Sequence, residues 1–168
     1  MITREAKHVV VFTLALGIVW AAIPRDFAAT PTSTIYSFGT VSPDGAYPKG
    51  SLTYVSSSGL LFGRTTTTTR HGTGDGVMFH FDPNNVGSSY AIDHQFTGNP
   101  DGEDPRHDAM TPLGDKLYGT TLEGGTNNVG TIFSVNQDGT GGYQKLLDLE
   151  TSTGAGSHSC FVMIDGIL

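Results

Sequence analysis

Lys116-Leu117-Tyr118-Gly119-Thr120-Thr121-Leu122-Glu123-Gly124-Gly125, running on to Gly130-Thr131-Ile132-Phe133-Ser134-Val135, decides the fold. Two short runs rich in apolar and β-branched residues flank a Gly-Gly and Asn127-Asn128 turn signal, which is the grammar of a β-hairpin. Thr131, Phe133 and Val135 alternate with Ile132 and Ser134, so one side chain in two faces a core.

The same grammar occurs upstream. Leu60-Leu61-Phe62-Gly63-Arg64-Thr65 matches 116–121, and Gly76-Val77-Met78-Phe79-His80-Phe81 matches 130–135. Tyr36-Ser37-Phe38 matches His94-Gln95-Phe96, and Asp-Gly-x-x-Pro stands at Asp44 to Pro48 and again at Asp101 to Pro105. Four elements recur in one order at offsets of 54 to 58 residues. Internal repeats of this period belong to solenoids and propellers. A third copy begins at Lys145-Leu146-Leu147-Asp148-Leu149 and decays, with Gly154-Ala155-Gly156-Ser157-His158 in place of Asp-Gly-x-x-Pro. The final Gly166-Ile167-Leu168 aligns with Gly59-Leu60-Leu61, inside a repeat.

About four strands per copy are expected. The first set is Ser51 to Val55, Leu60 to Thr65, Gly76 to Phe81 and Tyr90 to Phe96. The second is Ala109 to Thr111, Leu117 to Thr121, Thr131 to Val135 and Tyr143 to Leu149. The predicted fold is all-β, with β-propeller-like tandem blades of about four antiparallel strands and an incomplete ring; a β-solenoid is the alternative. The predicted division is 1–29 signal peptide, 30–58 incomplete first repeat and lead-in, 59–115 repeat 1, and 116–168 repeat 2 running into a truncated repeat 3. An incomplete ring predicts open blade edges that invite self-association, with Phe133, Val135, Leu147 and Leu149 short of neighbours.

Composition agrees. Of 168 residues 23 are Gly, hydrophobic residues make up 37% and charged ones 15%. This suits short strands and tight turns and does not suit a disordered chain. The formal charge of −7, with no Lys/Arg cluster, excludes nucleic acid and anionic membrane surfaces as partners. Arg4 and Lys7 precede the apolar run Val9 to Ile23 (VVVFTLALGIVWAAI), and Ala21, Ala22, Ala28 and Ala29 offer small residues for cleavage. This reads as a cleaved secretory signal, with an uncleaved anchor as the rival reading; the run is shorter than the ~18–20 residues of a spanning helix, so no stable membrane span is expected after cleavage. The expected location is secreted or cell-surface. Cys160 is the only cysteine, so no intrachain disulfide can form, and its apolar neighbours Phe161 to Ile164 make it a buried small hydrophobe.

Taken together, these residues resemble the GloVer tandem repeat of exported bacterial proteins, often described as choice-of-anchor repeat proteins. That repeat has an aromatic-Gly-Thr-Thr strand, a Gly-Gly turn, a Gly-Thr-aliphatic-Phe strand, then Asp-Gly-x-x-Pro. Leu117 to Gly125 with Gly130 to Phe133 fits it closely. The first copy departs from it, with Phe62 for Tyr and Arg64 plus the Thr65 to Thr69 run for Thr-Thr-x-x-Gly-Gly. The resemblance covers about residues 35 to 149. It implies a propeller-like, secreted or surface-attached protein and no established reaction.

A feature present in both copies serves the blade; a feature of one copy is the better functional candidate. Asp44-Gly45 and Asp101-Gly102 therefore read as turns, and Gly63 and Gly119 as strand glycines at a close approach. Asp101, Glu103, Asp104 and Asp108, with His107, lack calcium-loop spacing and read as a solvated acidic loop. His71, His80, His94, His107 and His158 form no transition-metal spacing, and His80 and His94 are expected on a blade surface. The Thr65 to Thr69 run reads as a loop insertion. No nucleophile elbow or dinucleotide loop is present. Catalytic residues are unknown, and no cofactor or metal is read. The expectation is an exported non-catalytic repeat protein, a surface or extracellular module for an unknown glycan or protein ligand. A propeller enzyme acting on extracellular glycan, hydrolase or lyase, is the alternative.

Overall fold

A computed structural model describes residues 33–40, 43–69, 72, 74–106, 108–152, 154–157 and 161. The predicted signal peptide lies outside them, as do His71, His107, His158 and Cys160. Among the described residues the chain is all-β apart from a single helical turn, and no helix is long and apolar enough to cross a membrane.

Among the described residues nine strands form two antiparallel sheets. The first contains β1 (Ala46–Pro48), β2 (Thr53–Val55), β3 (Leu60–Thr67), β4 (Val77–Phe81) and β5 (Ala91–Gln95). Its order is β1-β3-β4-β5, and β2 lies along β3 beside β1, so β1 and β2 share one edge. The second contains β6 (Thr111–Leu113), β7 (Lys116–Thr120), β8 (Thr131–Asn136) and β9 (Gln144–Asp148), in chain order. The helical turn α1 (Val86–Ser89) joins β4 to β5.

The strands differ from the sequence expectation at their margins. β1 was not expected, β6 begins where an Ala109 to Thr111 strand was to end, and α1 occupies the approach to β5. Thr65 to Thr67 continue β3, so the threonine run begins as strand and corrects the expected loop insertion. Threonine's branched Cβ suits this extension.

The two sheets share one ladder. Gly63 opposes Phe79 across β3 and β4, and Gly119 opposes Phe133 across β7 and β8. Register shifts fall between Met78 and Phe79, and again between Ile132 and Phe133. A Cβ on Gly63 would stand 2.4 Å from Phe79 Cζ, and one on Gly119 would stand 2.8 Å from Phe133 Cζ. Glycine is needed because the facing phenyl ring fills the space a methyl group would take.

Thr65 and Thr121 supply the second shared device. Thr65 Oγ1 accepts a hydrogen bond from Val77 N (3.2 Å) and donates to Thr67 O (2.9 Å). Thr121 Oγ1 accepts from Thr131 N (2.9 Å) and donates to Glu123 O (2.9 Å). Each hydroxyl pins the end of one strand to the start of the next. Val77 and Thr131 are fully buried along with the two threonines, so their amide donors have no water to turn to.

The core has two parts. Val55, Phe62 and Met78 of the first sheet pack with Leu117, Phe133 and Val135 of the second, joined by Phe96 and Met110. On the other face of the first sheet, Val77, Phe79, Phe81 and Val86 form a second cluster, covered in part by Tyr36 and Phe38. β4 is thus apolar on both faces because it lies between two packed layers. Phe133 and Val135, expected to lack neighbours, are fully buried under the first sheet, whereas Leu147 is 53% exposed. A fully buried Phe contributes about 1.5–3 kcal/mol, so the sheet–sheet contact is a principal source of stability.

Hydrogen bonds also tie the sheets. Thr53 Oγ1 accepts from Met110 N (2.8 Å) and donates to Met110 O (3.2 Å). Thr111, its counterpart in the second sheet, donates to Phe161 O (2.8 Å). Arg64, only 5% exposed, donates to Thr120 O (3.2 Å) and Asp108 O (2.7 Å).

Candidate functional site

The shared polar motif is spent on structure. Asp44 accepts hydrogen bonds from Tyr36 Oη, Gly39 N and Thr40 N. Asp101 accepts from Thr97 N and Thr97 Oγ1 and lies 2.8 Å from His94 Nε2. Each aspartate thereby closes the turn before its own glycine. A Cβ on Gly45 would meet Thr65 Oγ1 at 2.5 Å, and one on Gly102 would meet Thr121 Cγ2 at 2.8 Å. The Asp-Gly pair is therefore a seat for the strand-pinning threonine.

Beside each turn lies an aromatic pair. Tyr36 stacks on Tyr90 at 4.3 Å between centroids, and His94 stacks on Tyr143 at 3.5 Å. Tyr90 donates to Asp44 O (2.6 Å). The Tyr143 hydroxyl is buried without a hydrogen bond of normal geometry. Burial first, then the nearby Asp101, pushes its pKa well up, so it stays protonated. Tyr90 is raised by burial in the same way.

His80 forms the other His–Asp pair, with Nδ1 2.9 Å from Asp93 Oδ1. Burial raises the pKa of Asp93, and the contact with His80 opposes that rise. The side chain of His80 is 12% exposed and that of Asp93 1%. His80 lies against Phe62 at 5.5 Å between ring centroids, and a Cβ on Gly139 of the second sheet's turn would meet its Nε2 at 3.0 Å. The blade-surface expectation for His80 and His94 is corrected: both are wedged where the sheets meet. Alternation places His80 opposite the Phe79 row, but the next sheet covers that side too. A His–Asp pair can orient a catalytic imidazole. Here the imidazole of His80 is occupied by packing, and no nucleophilic side chain adjoins it among the described contacts.

The acidic stretch is solvated only in part, which corrects the other expectation: Asp108 is exposed, but Asp101, Glu103 and Asp104 are not. Asp104 is 7% exposed and pairs with Arg106, and Asp101 is held by the turn. Glu103 sits across an isolated bridge from Glu123. Burial first, then the charges of Asp75 and Glu123, raises its pKa. No group of three or more His, Cys, Asp or Glu among the described residues is arranged to hold a metal ion.

A recess lies at the end of the sheets where the β2–β3, β6–β7 and β8–β9 turns converge. Ser57, Ser58, Gly114, Asp115, Asn136, Gln137 and Asp138 line an open groove of about 650 Å³. Its wall is braced. Lys116 Nζ donates to Asn136 Oδ1, Asn136 Nδ2 to Thr140 Oγ1 (2.8 Å), and Gln137 Nε2 to Lys116 O (2.7 Å). Asp138 Oδ1 accepts from Thr140 N and Oγ1, which lowers the Asp138 pKa and keeps the carboxylate ionised. The Ser58 hydroxyl is buried in the groove with no hydrogen-bond partner. Sequence reasoning missed this groove, because its residues come from three turns and form no motif. The one available signal was that they differ between the two copies.

No family model, curated protein or solved structure matches this chain.

Proposed function

We propose that this chain is an exported, non-catalytic repeat protein of the GloVer kind, whose propeller-like blades present turn surfaces to an extracellular ligand. One observation carries the reading: the residues common to both copies are consumed by matching internal contacts. Gly63 and Gly119 receive a phenyl ring, Thr65 and Thr121 pin adjacent strands, and Asp44 and Asp101 close turns. Recurrence therefore maintains a scaffold, and freedom to differ is left to the turns, where binding residues are usually carried. The meander of four strands in each sheet, stacked face to face through Phe62 and Phe133, supports a blade-like arrangement. Export rests on the basic, apolar and small-residue pattern of residues 4–29.

Purified protein tested on a glycan and protein array, alongside a panel of glycoside hydrolase and lyase substrates, decides the matter. Saturable binding without turnover is expected. Hydrolysis or elimination of any glycan, lost on substitution of His80 or Asp93 while the fold persists, would replace this reading with the enzyme.

A further inference from the structure

We infer that the groove between the β2–β3, β6–β7 and β8–β9 turns is a subsite for a neutral, polyhydroxylated glycan segment. The inference rests on the binding-module reading above and gives it a place and a ligand class.

The groove's chemistry is dominated by acceptors. The carboxylates of Asp115 and Asp138 face it with the amides of Asn136 and Gln137 and the hydroxyls of Ser57 and Ser58. Asn136 is engaged at both ends of its amide, by Lys116 and Thr140, and so acts as a brace. The Gln137 amide nitrogen is spent on Lys116 O, which leaves its carbonyl oxygen to accept. A carboxylate with a free lone pair favours a ligand that brings O–H donors, and vicinal hydroxyls fit one carboxylate through two bonds.

Competing ligands fit less well. Phosphate, sulfate and uronate groups meet two carboxylates in a chain of net charge −7. A cationic ligand meets the field of the Lys116 ammonium, which is bonded to the lining residue Asn136 and acts on Asp138. An apolar protein anchor finds no apolar side chain among the lining residues, so no dry hot spot can form. A volume of about 650 Å³ lies within the usual range for small-ligand sites.

Ser58 is the second, independent indication. A buried hydroxyl without a partner is a cost to the folded chain. Ser58 also lines the groove, so a turn of its side chain about χ1 brings the hydroxyl to a ligand and relieves that cost.

Amide chemical-shift mapping on the full chain is the test. Neutral gluco-, manno-, galacto- and xylo-oligosaccharides are titrated to millimolar concentrations, with oligogalacturonate and chitosan oligomers as anionic and cationic arms. At least one neutral oligosaccharide is expected to shift Ser57, Ser58, Asp115, Gln137 and Asp138 together. Asp115→Asn and Asp138→Asn should each weaken that binding by about fivefold, the loss of one charge-assisted hydrogen bond. Ser58→Ala should weaken it while leaving the melting temperature equal or higher, a combination that a purely structural serine would not give. Undisturbed groove signals in every neutral titration overturn the inference, as does a response to the charged oligomers alone. Neutral sugar binding that maps elsewhere overturns the groove but leaves the binding module standing, whereas turnover of a glycan overturns the module itself.

Discussion

Thr121→Val removes one oxygen and keeps the shape of the side chain, which makes it a direct test of the strand-pinning device. In the folded chain Thr121 Oγ1 accepts from Thr131 N, donates to Glu123 O and lies 2.9 Å from Thr131 Oγ1. Thr121 and Thr131 are both fully buried, so water cannot replace the lost partner. An orphaned buried backbone donor costs about 1–3 kcal/mol, and the lost bond to Glu123 O adds about 0.5–1.5 kcal/mol. A gain of about 0.8 kcal/mol from burying an extra methyl offsets part of this, leaving a loss of roughly 1–3.5 kcal/mol. For a unit of this size each kcal/mol lowers Tm by about 3–5 °C, so a fall of roughly 4–16 °C is expected. Circular dichroism melts of wild type, Thr121→Val, Thr65→Val and Thr66→Val measure it. Thr65→Val should behave like Thr121→Val because its hydroxyl makes the equivalent bonds to Val77 N and Thr67 O. Thr66→Val, at a half-buried position of the same strand, should stay within about 0.5 kcal/mol of wild type. If Thr121→Val and Thr65→Val both melt within about 3 °C of wild type, the hydroxyls do not pin the strands and the structural reading of the repeat is refuted.

Arg64→Met should lower stability by about 2–4 kcal/mol in urea titration, because Thr120 O and Asp108 O lose a buried charged donor; a smaller effect than Thr66→Val would contradict the bridging role. Glu103→Gln should stabilise the chain near neutral pH by about 0.5 kcal/mol, a figure kept low by solvent screening. The folded pKa of Glu103 is raised, so the cost of its ionised form is absent below the unfolded pKa and complete above the folded one. The gain should therefore fade as pH drops through the carboxylate range, and urea titrations at neutral and acidic pH will show it; a gain that grows in acid would contradict the like-charge contact.

Much of the sheet was legible in the sequence. Gly63 with Phe79 and Gly119 with Phe133 could be placed in neighbouring strands because alternation and turn signals bracket each segment. What alternation could not convey is what covers a face once the strand is built. His80 has the same phase as Met78, and both were placed away from the Phe79 row, yet Met78 is fully buried. The second sheet, not the local period, decides that. β1 escaped because it is only three residues long and ends on Pro48, a poor strand former, while the pairing of Ala46 with Thr67 is a tertiary choice. The acidic stretch was misjudged for a related reason: Asp101 has a local turn to close and Asp104 a local arginine to meet, neither of which its charge pattern discloses. For the groove, the sequence offered only difference between copies, since Ser58, Asp115 and Asp138 converge through topology alone.

Arg64 also bears on how two similar sheets avoid confusion. Two sheets with the same ladder offer the folding chain a choice of neighbours, and strands of one copy could insert into the frame of the other. Exchange of that sort is a known failure of repeat proteins. Arg64 stands where the second copy has Thr120, and Thr120 O is one of the two carbonyls it grips. A guanidinium buried in a swapped arrangement, away from Thr120 and Asp108, would be stranded without those acceptors and would cost several kcal/mol. Arg64, one of the first copy's departures from the repeat, thus works as a keyed joint that favours one order of assembly and penalises its permutations.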